Sequence, residues 1–233
     1  MRAPSVIALA CVAACSGGGK PTGPTGPVVV DLDAPPPALL SSYRFFTWDA
    51  ADGFAFNQRV VPYDINTALF SDYALKQRAI YLPDGAAASF DPEQALGFPV
   101  GSVILKTFAF PADLRAPDDD VRLIETRLMV RHDDGWHPLP YIWDADQRDA
   151  VLSPAGEVRA ISFVDGDGAP RVANYLIPER NQCETCHARQ DGPGAPIELA
   201  LIGVKARHLN RSHDYGAPGV RNQLDHLVEL GML

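Results

Sequence analysis

The stretch Val121-Arg122-Leu123-Ile124-Glu125-Thr126-Arg127-Leu128-Met129-Val130-Arg131 decides the fold class. Ile124, Thr126, Leu128 and Val130 fall on one side of it, and Glu125, Arg127, Met129 and Arg131 on the other. A strand turns successive side chains to opposite faces, so this alternation predicts a half-buried antiparallel strand. Working outward, residues 79–82, 102–110, 139–143, 158–164 and 171–177 read as further strands. Asp-Gly pairs beside them (Asp84-Gly85, Asp134-Gly135, Asp165-Gly166 and Asp167-Gly168) are hairpin signals, because Gly accepts positive φ and Asp tolerates it. Short strands with frequent turns predict a mainly β fold: an antiparallel β-sandwich-like domain over 39–178. A short aromatic helix or turn over 41–48 opens it.

The whole chain agrees with that reading. It has 233 residues, enough for one sizeable domain, with 19 Gly and 21 Pro that favour turns over long helices. A net charge of −9 argues against a nucleic-acid binder, which carries a basic patch or stripe. Past the N-terminus, no apolar run approaches the roughly 20 residues a membrane span needs.

The four cysteines fall into two distant pairs, Cys11/Cys15 and Cys183/Cys186. The first pair lies in a targeting segment. Met1-Arg2 precedes the apolar run 6–14, and Val12-Ala13-Ala14-Cys15 has the small residues of a cleavage site. Cysteine directly after that site resembles a bacterial lipobox. Residues 1–14 are therefore expected to be a signal peptide, with Cys15 lipidated and the mature chain exported to the periplasm or cell envelope. Residues 15–38, rich in Gly and Pro, read as a tether.

After Pro178 the sequence becomes loop-rich, and 220–230 reads as a short helix stopped by Gly231. Val220, Leu224, Leu227 and Val228 share its apolar face, with His226 opposite. Residues 179–233 hold the motif that carries chemistry, Cys183-Glu184-Thr185-Cys186-His187. C-x-x-C-H is the attachment signature of c-type haem. On a helical turn both sulfurs reach one porphyrin edge, and the adjacent His187 offers its imidazole to the iron as proximal ligand. A thioredoxin-like motif needs a βαβ context that is absent, and a structural zinc site needs four ligands. The distal ligand is open among Met232, His208 and His226, with His213 also in reach along the chain and Met129 as an outsider. Each has an ordinary reading too: solvated His208 and His213, His226 on a helix surface, Met232 and Met129 as packing. Only 46 residues follow His187, few for covering both faces of a haem. Asp118-Asp119-Asp120 reads as a solvated turn. His132 and His137 read as residues flanking a hairpin tip, not as ligands.

Pro62-Tyr63-Asp64-Ile65-Asn66-Thr67, followed by Leu69-Phe70-Ser71-Asp72-Tyr73-Ala74, resembles the PYDLNTPLFSDYA signature of a bacterial diheme c-type cytochrome family. The resemblance extends over about 40–233, through Phe98-Pro99-Val100-Gly101, Lys106-Thr107-Phe108, Asp134-Gly135-Trp136 and Asn222-Gln223-Leu224. It implies a β-rich N-terminal domain, two haem sites, and members often encoded beside a parallel β-helix protein, a candidate redox partner. This sequence holds one C-x-x-C-H, so the resemblance implies a C-terminally truncated member with one haem c.

The expected function is an exported, lipid-anchored c-type cytochrome that transfers electrons to or from a redox partner protein. The alternative is a haem enzyme or the electron-accepting subunit of an exported peroxidase or dehydrogenase. A third reading makes the β domain a binding module.

Overall fold

The computed structural model describes residues 26–49, 53–190 and 192–233. The signal segment 1–14, Cys15 and the tether up to residue 25 lie outside the described residues. The strands are β1 (Phe46–Asp49), β2 (Gly53–Phe56), β3 (Val60–Pro62), β4 (Leu75–Tyr81), β5 (Val103–Pro111), β6 (Val121–His132), β7 (Gly135–Trp143), β8 (Ala150–Leu152), β9 (Glu157–Val164) and β10 (Pro170–Ile177). They are followed by β11 (Ala188–Gln190), β12 (Ile197–Leu199), β13 (Ser212–Asp214) and β14 (Val220–Asn222). Three short helices belong to the C-terminal segment: α1 (Glu184–His187), α2 (Ala206–Leu209) and α3 (Gln223–Glu229). The fold is mainly β, and every paired strand is antiparallel to its partner.

A six-stranded sheet, β3-β4-β5-β6-β7-β8, forms the centre. Its two faces are both covered. On the first, Ala79, Tyr81, Val103, Leu105, Leu128, Val130, Leu139 and Tyr141 join a core with Leu40, Tyr43 and Phe45. The second face carries two apolar clusters. Ile80, Ile104 and Met129 pack with Leu201, Val204, Leu209, Leu227 and Met232 from the C-terminal segment. Phe108, Phe110, Ile124 and Ile142 pack with Ile161, Phe163, Tyr175 and Ile177 from the β9–β10 hairpin. The second layer expected of a sandwich is thus a single hairpin over one end of the sheet, and the C-terminal segment covers the other.

The deciding stretch differs in one detail. A bulge between Phe108 and Ala109 leaves Ile124 without a partner of its own, so Leu123 joins the first face and Ile124 the second. One extra residue in a strand shifts the alternation by one, which is how Ile124 leaves the side of Leu128 and Val130. Nor is the other side half-exposed: Glu125 has no exposed surface and Met129 is 8% exposed.

Three further corrections follow from packing. The turn expected over 41–48 is a 3-10 turn (Leu40–Tyr43) running into strand β1. From Gly26 onward the stretch read as tether lies against the protein: Val28, Val30 and Leu32 pack on the first-face core. Val29 N–H donates to the Tyr43 carbonyl, and Leu152 N–H to that of Ala38, which covers the β8 edge. At the C-terminus the helix starts only at Gln223, because Val220 pairs with Asp214 in a hairpin. Asn222 caps it by accepting from Leu224 N–H at 2.9 Å. The inward face of α3 carries Gln223, His226 and Leu227, while Val228 is exposed. His226 is therefore buried, contrary to the surface position expected for it.

Candidate functional site

The C-x-x-C-H run begins five residues after Pro178, which follows the end of β10. Glu179 starts a 3-10 turn (Arg180–Cys183) with a capping box in which its N–H donates to Gln182 Oε1 at 3.0 Å. The turn continues directly into α1. Cys183 and Cys186 are one helical turn apart, both with free thiols, Cys183 partly buried and Cys186 exposed. Burial lifts the Cys183 thiol above its ordinary value, while Arg127 acts against that.

His187 is held at two points. Its carbonyl accepts from Ala200 N–H at 2.7 Å, and its Nδ1 lies 2.8 Å from the Ala200 carbonyl oxygen. A carbonyl only accepts, so Nδ1 carries the proton and Nε2 keeps its lone pair. Metal-binding histidines are commonly oriented by such a bond on the other ring nitrogen. Burial, opposed by that bond and reinforced by Lys106 and Arg127, lowers the His187 pKa. The imidazole is thus neutral, the form that ligates a metal.

The sheet near this run is charged: Lys106 and Arg127 act on His187, and Arg127 on Cys183. Arg78, Lys106 and Arg127 are direct cross-strand partners on β4, β5 and β6. Like charges directly opposite one another destabilise a sheet unless something anionic compensates. Arg78 meets Asp64 at 3.2 Å, and Arg127 makes two bonds to Glu125 at 2.7 and 2.6 Å. Lys106 sits between them over the Phe108 ring, 4.7 Å from its centroid, with no carboxylate in ion-pair distance among the described residues. Burial and its cationic neighbours Arg78, Arg127 and Lys76 lower its pKa to about 8. Sequence reasoning missed this row, and only strand register brings it together.

The signature block has a structural task here. Gln223 clamps it to the C-terminal segment, accepting from Asp64 N–H at 2.6 Å and donating to the carbonyls of Asp64 and Leu209 at 2.9 Å. Asn66 Nδ2 adds a bond to the Arg207 carbonyl at 2.8 Å. In the later part of the block, Leu69, Phe70 and Tyr73 are exposed.

The distal candidates are not gathered at His187. Met232 is 1% exposed inside the cluster of Leu209 and Leu227, so its thioether is spent on packing, as is that of Met129. His226 lies against Tyr215, with ring centroids 3.9 Å apart, and Tyr215 in turn contacts His213 at 4.8 Å. Buried polar atoms without a hydrogen-bond partner remain at His208 Nδ1, His213 Nε2, Tyr215 OH and His226 Nδ1. No described contact joins Met232, His208 or His226 to His187 or to the cysteines. A groove of about 620 Å³ opens beside Ala200, lined by Trp136, Arg131, Arg189, Leu199 and Leu201, but the cysteines and His187 do not line it.

No family model, curated protein or solved structure matches this chain.

Proposed function

We propose that this chain is an exported c-type cytochrome, holding one haem through Cys183 and Cys186 and passing electrons to a redox partner protein. The observation that carries the reading is His187. Its Nδ1 proton is committed to Ala200, so Nε2 is left as an iron ligand beside two free thiols one turn apart. Haem bound there supplies one-electron redox chemistry at its iron. The protein's part is to orient the proximal imidazole and to supply cations for the carboxylates of the cofactor. Lys106 suits that second task, since no carboxylate lies in ion-pair distance of it among the described residues, whereas Arg78 and Arg127 are paired with Asp64 and Glu125. The parallel β-helix protein remains the candidate partner from the sequence resemblance, and the acidic net charge favours a partner with a basic docking patch. An anchor at Cys15 completes the proposal, and Cys15→Ser should move the protein from membrane to soluble fractions.

The test is expression in a host that matures c-type cytochromes. The denatured chain should keep haem stain on a gel and gain the mass of one haem. Cys183→Ser/Cys186→Ser should lose both. His187→Ala should keep the thioethers and lose the spectral signature of an imidazole-ligated iron. Colour that acid acetone extracts completely from the unaltered chain defeats the proposal.

A further inference from the structure

The tip of the β6–β7 hairpin is remote in sequence from the cysteines and serves none of the roles above. It is closed by a two-residue turn, Asp133-Asp134, between His132 and Gly135, which are cross-strand partners. Gly135 has φ 136°, a backbone conformation open mainly to glycine. His137, paired with Val130, is the diagonal neighbour of His132 on the same face of the ladder. The two imidazoles stack, their centroids 4.0 Å apart and their planes 20° from parallel. Asp134 Oδ1 sits 2.8 Å from His137 Nε2.

One ligand atom from each of His132, Asp134 and His137 lies within 4.8 Å of the others. We propose that these three side chains form a binding site for a zinc-type divalent metal ion. Two neutral imidazoles and a carboxylate are a donor set for zinc or copper, whereas calcium and magnesium take oxygen ligands. Tetrahedral zinc with bonds of about 2.0–2.2 Å holds its ligand atoms about 3.3 Å apart. The triad therefore closes by up to about 1.5 Å, within the reach of side-chain rotation at a hairpin tip where Asp134 is exposed and both histidines are partly so. The metal takes the position of the proton that now bridges His137 and Asp134. Three protein ligands leave one coordination position for water or for an exogenous donor, the arrangement of an open site rather than a closed structural one.

The test titrates ZnCl2 into the full chain carrying Cys183→Ser, Cys186→Ser and His187→Gln, which removes the competing thiolates whether or not haem attaches. Calorimetry should show saturable binding near one equivalent. Adding His132→Ala and His137→Ala should weaken it about 100-fold or more, and Asp134→Asn about 10-fold. Cu2+ in the same chain should show paramagnetic-resonance splitting from two imidazole nitrogens, absent in the double alanine variant. The tip variants should keep the parent's thermal midpoint within a few degrees, which separates lost ligation from lost fold. One-equivalent binding that survives in His132→Ala/His137→Ala, or no saturable binding in the parent, overturns the proposal.

Discussion

Glu125 is a carboxylate with no exposed surface, and three bonds hold it: two from the Arg127 guanidinium and one from Tyr175 OH at 2.7 Å. Burying two charges gains little by itself, but removing one partner leaves the other uncompensated. Glu125→Ala should therefore lower the unfolding free energy by about 3–5 kcal/mol in urea titrations. A loss below 1 kcal/mol would show that Arg127 reaches solvent instead. Lys106 gives a pH signature. Folding lowers its pKa to about 8, so above that value the folded chain releases a proton that the unfolded chain keeps until about 10.4. The unfolded state binds more protons in that window, so stability rises with pH there, by up to about 3 kcal/mol, and the full penalty remains below pH 8. Lys106→Met should flatten the rise between pH 8 and 10. Attached haem should flatten it as well, by pairing the ammonium. C-x-x-C-H was legible in the sequence because its spacing is local. The cation row was not, because residues 78, 106 and 127 become neighbours only through register.

Gly156 shows how one element places another. It follows β8 with φ 63°, and a Cβ there would lie 2.6 Å from Glu179 N and closer still to the Ile177 carbonyl oxygen. The same turn accepts from Arg180 N–H at the Pro154 carbonyl, 2.9 Å away. This turn thus braces the start of the cysteine segment. Gly156→Ala adds left-handed strain of about 1–3 kcal/mol and forces the brace apart. Haem yield per chain should fall in this variant more than in Gly85→Ala, whose Cβ meets nothing within 4 Å. Equal yields would separate the brace from the site. The longer strands between 75 and 177 were legible because alternation and Asp-Gly turns are local signals. Shorter strands were not: β3, β8, β13 and β14 have three residues each, too few to show a period. The bulge at Ile124 was hidden for a related reason, since a regular apolar alternation looks the same until a partner strand fixes the count. His226 was misplaced because Val220 seemed to extend the helix and rotated the expected stripe.

Across the whole molecule the central sheet separates two jobs. Its first face is an apolar core closed by the N-terminal segment, and its second receives both the β9–β10 hairpin and the cysteine segment. A chain of net charge −9 nonetheless sets Lys106 and Arg127 near the cysteine segment, so on the proposed function the carboxylates of an anionic cofactor would find cationic partners there. Haem attachment should therefore raise the thermal midpoint, and less so in Lys106→Met; an equal rise in both would remove Lys106 from the cofactor's neighbourhood. The spatial order β3-β4-β5-β6-β7-β8 repeats the order of the chain. That identity has a consequence in time. Each strand, as it emerges from the N-terminal side, finds its neighbour already present, so pairing never waits on a strand still to come. In pulse-labelled hydrogen exchange during refolding, amides of β5 and β6 should gain protection before those of β11 and β12, and the reverse order would contradict this. On that order Cys183 and Cys186, which follow all six strands in the chain, come to rest on a sheet where residues 78, 106 and 127 already stand in register, so the cysteines are not placed while those cations are still dispersed.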